Sequence, residues 1–423
     1  MNRTAILSAA AAIAIAIALA GQLSAQAEET PSQTLVVHFD QSLGPVKARI
    51  GFLGGLRDSL PDDLIQPLRP SLWRIGHQFR GRIAGDLPAA VERVEKLGAT
   101  YKLVMSDLID SQPKDWAKYE ADVQKLVAKV KSHAATIIWE PVNEPDISHK
   151  PIEKYYDLYA HAFSALRQAD PNTMICGPGF AFPSYEKYRP FLDYCREHHL
   201  ECNYLAWHYT GWDPHYPEQA HWQLGRLREF IAEYPEQKIR EIHCDEWGAG
   251  PDKPGRLHPG RAVVWFHYLE NVYNADRACR ANWGREDDYL GGLVDADGHP
   301  FPVYHVYRLY AGMSGQTRVA TEGNNRTIAC LASRGDDVWE ILLGSVAQGS
   351  RKVVLELQGL GTQPLQPELR LIPSTNLDQP LAASDIPVLK QYSCERQASM
   401  LRITLDNVAE NQAYHVVLRP GER

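Results

Sequence analysis

The chain has little of what marks several large protein classes. Its seven cysteines in 423 residues are too few for a fold held together by disulfides. No C-x-x-C or H-E-x-x-H pattern occurs, and the sixteen histidines are scattered without ligand spacing. No metal and no cofactor is therefore expected. Basic runs are missing and the formal net charge is -8, which argues against a nucleic-acid or anionic-membrane partner. After the first twenty residues no apolar stretch approaches spanning length. Beyond that point there are no internal repeats and no low-complexity segments either.

What is present begins with a leader. Arg3 supplies a positive start, residues 5–20 are apolar, and Ala25-Gln26-Ala27 precedes Glu28 as a small-residue cleavage site. Residues 1–27 are thus expected to be a cleavable signal peptide, giving an exported protein, periplasmic or secreted, with no membrane association after cleavage. Export permits disulfides. Cys195 with Cys202 is the candidate local bridge and Cys330 with Cys394 a second pairing, while Cys244 reads as a buried thiol. The remaining composition, 44% hydrophobic and 23% charged, is that of a globular chain with a large core.

Over residues 46–315 apolar, β-rich runs alternate with helical periodicity. Strands are predicted at 48–54, 70–76, 100–106, 135–142, 174–179, 204–209, 238–245 and 278–284. Between them Tyr119, Val123, Leu126, Val127 and Val130 form one helical stripe, and Ile152, Tyr155, Tyr159, Phe163 and Leu166 another. Both stripes follow proline-containing segments, where a helix start tolerates proline. Strands that are apolar throughout are buried on both faces. Eight such units predict an α/β fold, a (β/α)8 TIM barrel. Residues 316–423 change character: short β-rich stretches at 338–343, 352–357, 368–372, 400–404 and 413–418 are separated by Gly, Pro, Asn and Asp. This predicts a small all-β sandwich, to which residues 28–45, through Thr34–Phe39, are expected to add a strand.

Two carboxylates stand at predicted strand ends. Ala135–Pro145 closes on Asn143-Glu144-Pro145, and Lys238–Gly248 carries Asp245-Glu246-Trp247. Retaining hydrolysis of a glycosidic bond needs one group that gives a proton to the leaving oxygen and one that attacks the anomeric carbon. Glu144, in an aromatic and proline-rich context after Trp139, is the candidate acid/base, and Glu246 the candidate nucleophile. Arg74, at the end of the second strand, is placed to supply a positive charge to Glu246. Asn143 is the candidate for a bond to a sugar hydroxyl.

The layout resembles the retaining glycoside hydrolases built on (β/α)8 barrels, with the acid/base after strand four and the nucleophile after strand seven. Within them it is most similar to glycoside hydrolase family 39, which includes β-xylosidases and iduronidases. The resemblance rests on Trp139–Asp146 and Asp245–Trp247. It extends to Arg74-Ile75-Gly76-His77, to Ala206-Trp207-His208-Tyr209 and to Gly292–Tyr304. It implies substrate contacts by Arg74, His77, His208 and Tyr209, and an appended β-sandwich. The β-xylosidases have a bulkier residue at Val142 and a tyrosine at Thr210, departures that bear on specificity more than on chemistry.

Trp283, at the end of the eighth predicted strand, is the candidate stacking platform for a sugar face, and Trp212, Trp222 and Trp247 are further ones. The aromatic-rich segment 211–223 is expected to form a cleft wall. Asp295-Ala296-Asp297-Gly298 lacks the ligand spacing of a calcium loop and reads as a hairpin turn. The sequence thus points to an exported retaining glycosidase without cofactor, acting on a plant or bacterial oligo- or polysaccharide. The competing reading is a non-catalytic carbohydrate-binding or envelope protein on the same barrel, which would keep the aromatic platforms but lose one of the two carboxylates.

Overall fold

The computed structural model describes residues 31–47, 50–54, 56, 60–75, 86–133, 136–209, 226–247, 257–273, 275–281, 290 and 292–421. The leader lies outside the described residues. Among them no helix is long and apolar enough to cross a membrane.

Strands β2 (Ile50–Leu53), β3 (Leu72–Ile75), β4 (Thr100–Val104), β5 (Ile138–Glu140), β6 (Met174–Phe180), β7 (Tyr204–Tyr209), β8 (Glu241–Trp247) and β9 (Arg277–Arg280) close into an all-parallel barrel in chain order, with β9 pairing β2. Each coincides with a predicted strand. Alternation sorts their side chains. Trp73, Tyr101, Trp139, Leu205 and Trp207 face outward into the core shared with the helices. Leu53, Leu72, Ile138, Cys176, Ala206 and Cys279 form a separate apolar plug on the barrel axis. The helices behave as their sequence directs. Asp115 caps the helix Trp116–Lys129 by accepting from the Lys118 amide, and the predicted stripe Tyr119, Val123, Leu126, Val127, Val130 is buried.

The second sheet has nine strands in the order β14-β17-β12-β11-β10-β1-β13-β16-β15. They are β1 (Ser32–Pro45), β10 (Thr317–Glu322), β11 (Ile328–Arg334), β12 (Trp339–Ser345), β13 (Arg351–Gln358), β14 (Leu365–Ile372), β15 (Ser393–Gln397), β16 (Met400–Val408) and β17 (Ala413–Pro420). All pairs are antiparallel except β1 with β13. β1 contains the predicted Thr34–Phe39 stretch and lies in the middle of this sheet. One face forms a buried cluster that runs from Leu369 and Val416 to Val353 and Ile403 and contains no helical side chain. The face is therefore covered by the sheet itself, which curls so that its halves oppose each other as in a sandwich.

The opposite face, through Ala329, Leu331, Leu342 and Ala413, joins the barrel core. Helix Pro259–Asn271 lies between the two bodies and is buried on all sides from Pro259 to Glu270. Its approach depends on glycine. A Cβ on Gly260 would meet Ser345 O, would lie 2.5 Å from Gln412 O and 2.8 Å from the Asn411 carbonyl carbon, all backbone atoms. Gly260→Ala is expected to destabilise the protein by about 1–3 kcal/mol, read as a lowered urea midpoint. A loss of only about a few tenths of a kcal/mol in unfolding free energy would show that the two bodies are not closely joined there.

The expected disulfides are not formed. Cys195 and Cys202 are free, buried thiols of the barrel core, held there by packing in place of a bridge. Cys330 is buried on β11 while Cys394 is exposed on the edge strand β15, so the topology separates them. Cys244 is buried, as expected.

Candidate active site

At the C-terminal end of the barrel, charged side chains replace the apolar plug. Arg74 on β3 is fully buried and donates through its whole fork: Nε to Glu140 Oε2 and Nη2 to Glu140 Oε1, both 2.8 Å, Nη1 to Glu246 Oε1 at 2.8 Å, and Nη2 to Asn143 Oδ1 at 2.7 Å. Lys102 on β4 donates to Asp245 and lies 3.6 Å from Glu140 Oε2. Burial opposes both cations, yet the surrounding carboxylates hold both pKa values above their ordinary range. Burial also opposes ionisation of Asp245, but Lys102 and Arg74 outweigh it and bring its pKa down to about 2. Its pairing is thus present above the ordinary carboxylate range near 3.8 and is lost only as pH falls towards about 2.

A bulge in β8 positions the second carboxylate. Trp207 pairs with Cys244, yet the next residue, His208, pairs with Glu246. The extra residue lets Asp245 and Glu246 both face the barrel axis and sends Trp247 to the outside. Glu144 follows β5 in the left-handed region, at φ 47° and ψ 61°. That conformation is strained for a residue with a side chain and is held here by its surroundings. Pro145 starts a short helix, Pro145–Ser148, whose serine hydroxyl donates to the Glu144 carbonyl at 3.1 Å.

His208 joins the two glutamates. Its Nδ1 lies 2.9 Å from Glu144 Oε1 and 3.7 Å from Glu246 Oε2, and one oxygen of each glutamate and a ring nitrogen all fall within 4.8 Å of one another. Gly179 makes room for this: a Cβ there would lie 3.0 Å from Glu140 Oε1 and 3.1 Å from His208 Nε2. The Glu144 side chain is 22% exposed and that of Glu246 only 8%, so Glu144 borders solvent while Glu246 lies at the base.

The sequence profile of glycosyl hydrolases family 39 matches residues 111–347, more than half of the chain. The chain belongs to that family. It is 18% identical to a beta-xylosidase of Caldicellulosiruptor saccharolyticus over 256 residues, 53% of this chain and 52% of that protein. It thus spans about half the length of this curated relative. Among solved structures, N2152 of Neocallimastix frontalis superposes with a TM-score of 0.77 at 19% identity, covering 92% of this chain and 100% of that one. The GH39 enzyme of Xanthomonas axonopodis pv. citri superposes with a TM-score of 0.69 at 13% identity, covering 94% and 99%. At these identities the likeness bears on the fold, and it spans both the barrel and the sheet of this family 39 chain.

Of the residues singled out in the sequence, the structure brings Asn143, Glu144, Arg74, His208 and Glu246 together. It turns two others away. Trp247 is 1% exposed and packs against Trp265, Phe266 and Tyr307 in the helix layer, because the bulge reversed its face. Tyr209, opposite Trp247 in register, points the same way, with its ring 5.3 Å from that of Trp265. Neither faces the carboxylates. His77, Trp212, Trp222, Trp283 and segment 211–223 lie outside the described residues. Asp295–Gly298 is a turn, as expected: Gly298 has φ 85°, and Asp295 Oδ1 accepts from the Asp297 and His299 amides.

Glu140, Lys102 and Asp245 were missed as site residues. For Lys102 and Glu140 the signal was available: each is a charge inside an otherwise apolar strand run, and a buried charge must be paired. Together with Arg74 they form a lattice of two cations and, counting Glu246, three carboxylates. His208 borders this lattice through Glu246 and Glu144. Burial lowers its pKa, but Glu246 and the hydrogen bond with Glu144 outweigh that and the opposing Arg74, so the net shift is upward. The stability this contributes is full below the unfolded value near 6.5 and is lost as pH rises through the higher folded value. The difference in unfolding free energy between wild type and His208→Asn, from urea titrations at several pH values, is accordingly expected to shrink as pH rises. A difference that grows with pH would contradict this assignment.

Proposed function

We propose that this chain is an exported glycoside hydrolase that cleaves O-glycosidic bonds of a plant or bacterial oligo- or polysaccharide by double displacement. The observation that carries the reading is the convergence of Glu144 and Glu246 oxygens within 4.8 Å. This is in keeping with the roughly 5–5.5 Å between carboxyl groups in retaining enzymes.

In the first step a Glu246 oxygen bonds to the anomeric carbon as the bond to the leaving oxygen breaks, and that oxygen takes the proton of Glu144. In the second step Glu144 accepts a proton from water as the water oxygen bonds to the same carbon and Glu246 departs as a carboxylate. Arg74, donating to Glu246 Oε1, aims the nucleophile and stabilises the charge it regains. Asn143, whose carbonyl is held by Arg74, presents its amide group to a sugar hydroxyl. His208 keeps Glu144 oriented between turnovers. His77 and Trp283 are assigned to substrate contact on sequence alone, and export rests on residues 1–27.

A panel of aryl glycosides and polysaccharides tests this reading, with xylosides first because a relative is named a beta-xylosidase. Release of the aryl group from at least one member is expected. No release from any, with measurable sugar binding, would favour the non-catalytic reading.

A further inference from the structure

The large hydrophobic side chains that stand exposed among the described residues are Leu43, Leu108, Ile147, Phe182 and Val388. Three of them sit on successive loops at one end of the barrel. Leu108 follows β4, Ile147 follows β5 and Phe182 follows β6, with exposures of 39%, 51% and 61%. Exposed apolar groups gathered on one rim are a recognition signal in a way that scattered ones are not.

These loops are also built into the site. Asp146, two residues after Glu144, accepts from the Ala181 amide at 3.0 Å, the Phe182 amide at 3.1 Å and Lys187 Nζ at 2.7 Å. The Lys187 ammonium lies 5.5 Å from the centre of the Phe182 ring. The segment that carries Glu144 therefore fixes the backbone that presents Phe182. Beside it opens a cleft of about 350 Å³, lined in part by Asp146, Lys150, Tyr156, Phe180 and Lys187, within the size range of small-molecule sites.

Resting on the proposed roles of the two glutamates, we infer that Phe182 is the stacking platform for the first sugar ring of the leaving group, and that the chain beyond it runs into the adjoining cleft. The acid/base must touch the glycosidic oxygen, so the loops flanking Glu144 border the departing half of the substrate, whereas Glu246 addresses the retained half. An aromatic face meets the C–H face of a pyranose, while the partly exposed Lys187, held in place by Asp146, offers a donor to its hydroxyls. Such a platform selects substrates with a sugar as leaving group.

The test measures binding separately from turnover. Xylotetraose, cellotetraose and arabinotetraose are titrated calorimetrically into Glu246→Gln and into Glu246→Gln/Phe182→Ala. The tightest-bound tetrasaccharide is expected to lose about 3- to 10-fold in affinity without Phe182, on the scale of an aromatic contact, and Phe182→Trp is expected to restore it. Equal affinities with and without Phe182, or no binding of any of the three, would overturn the platform. Hydrolysis by the wild type is scored in parallel. Hydrolysis without dependence on Phe182 removes the platform alone. Phe182-dependent binding without hydrolysis keeps the platform and removes the glycosidase reading.

Discussion

Glu246→Gln is expected to lower kcat by on the order of 10⁴- to 10⁶-fold, the scale on which loss of a covalent nucleophile acts, while sugar binding persists. Glutamine keeps the shape of the side chain and an oxygen for the Arg74 bond, which now spans 2.8 Å. It lacks the second carboxylate oxygen and the negative charge needed to form an ester at the anomeric carbon. Arg74 retains its two-pronged contact with Glu140, so the barrel should fold as before. Steady-state assays on the best aryl glycoside, with affinity measured on the same variant, separate chemistry from binding. Activity within tenfold of wild type would remove Glu246 from the reaction.

Arg74→Met is expected to destabilise the protein by about 3–5 kcal/mol, because it leaves buried carboxylates without their partner. Glu140 loses both of its contacts from the guanidinium, and Glu246 and Asn143 lose theirs, all where Arg74 and Glu140 have no solvent access. Lys102, 3.6 Å from Glu140, compensates only in part, since it is committed to Asp245. Arg74→Lys should recover little, because a point charge cannot replace a planar fork that serves three acceptor groups. Urea unfolding of the three proteins at neutral pH measures both effects. A loss below about 1 kcal/mol for methionine, typical of an exposed pair, would show that the lattice does not hold the barrel mouth.

The barrel was legible because its strands are continuous apolar runs and its helices carry stripes at 3.6-residue spacing; neither signal needs tertiary context. β15 was not legible: Ser393–Gln397 is exposed throughout and has no apolar alternation to read. β10, with Val319 as its one fully buried residue, is equally quiet. In the site, Glu144 and Glu246 could be read as carboxylates at strand ends. The face of Trp247 could not be, because strict alternation from His243 would have turned Trp247 inward and Glu246 outward. The bulge opposite His208 reverses that parity, and a bulge is set by pairing with β7, not by local residue choice. The disulfide expectation failed for a related reason. Spacing brings Cys195 and Cys202 near each other, but each is taken up by core packing.

The most direct test follows the configuration of the released sugar by proton NMR during the first turnovers on an aryl glycoside. Two displacements through Glu246 predict a first-formed sugar with the same anomeric configuration as the substrate, before mutarotation. A first product of opposite configuration would mean a single displacement by water, and would contradict the roles given to both Glu144 and Glu246.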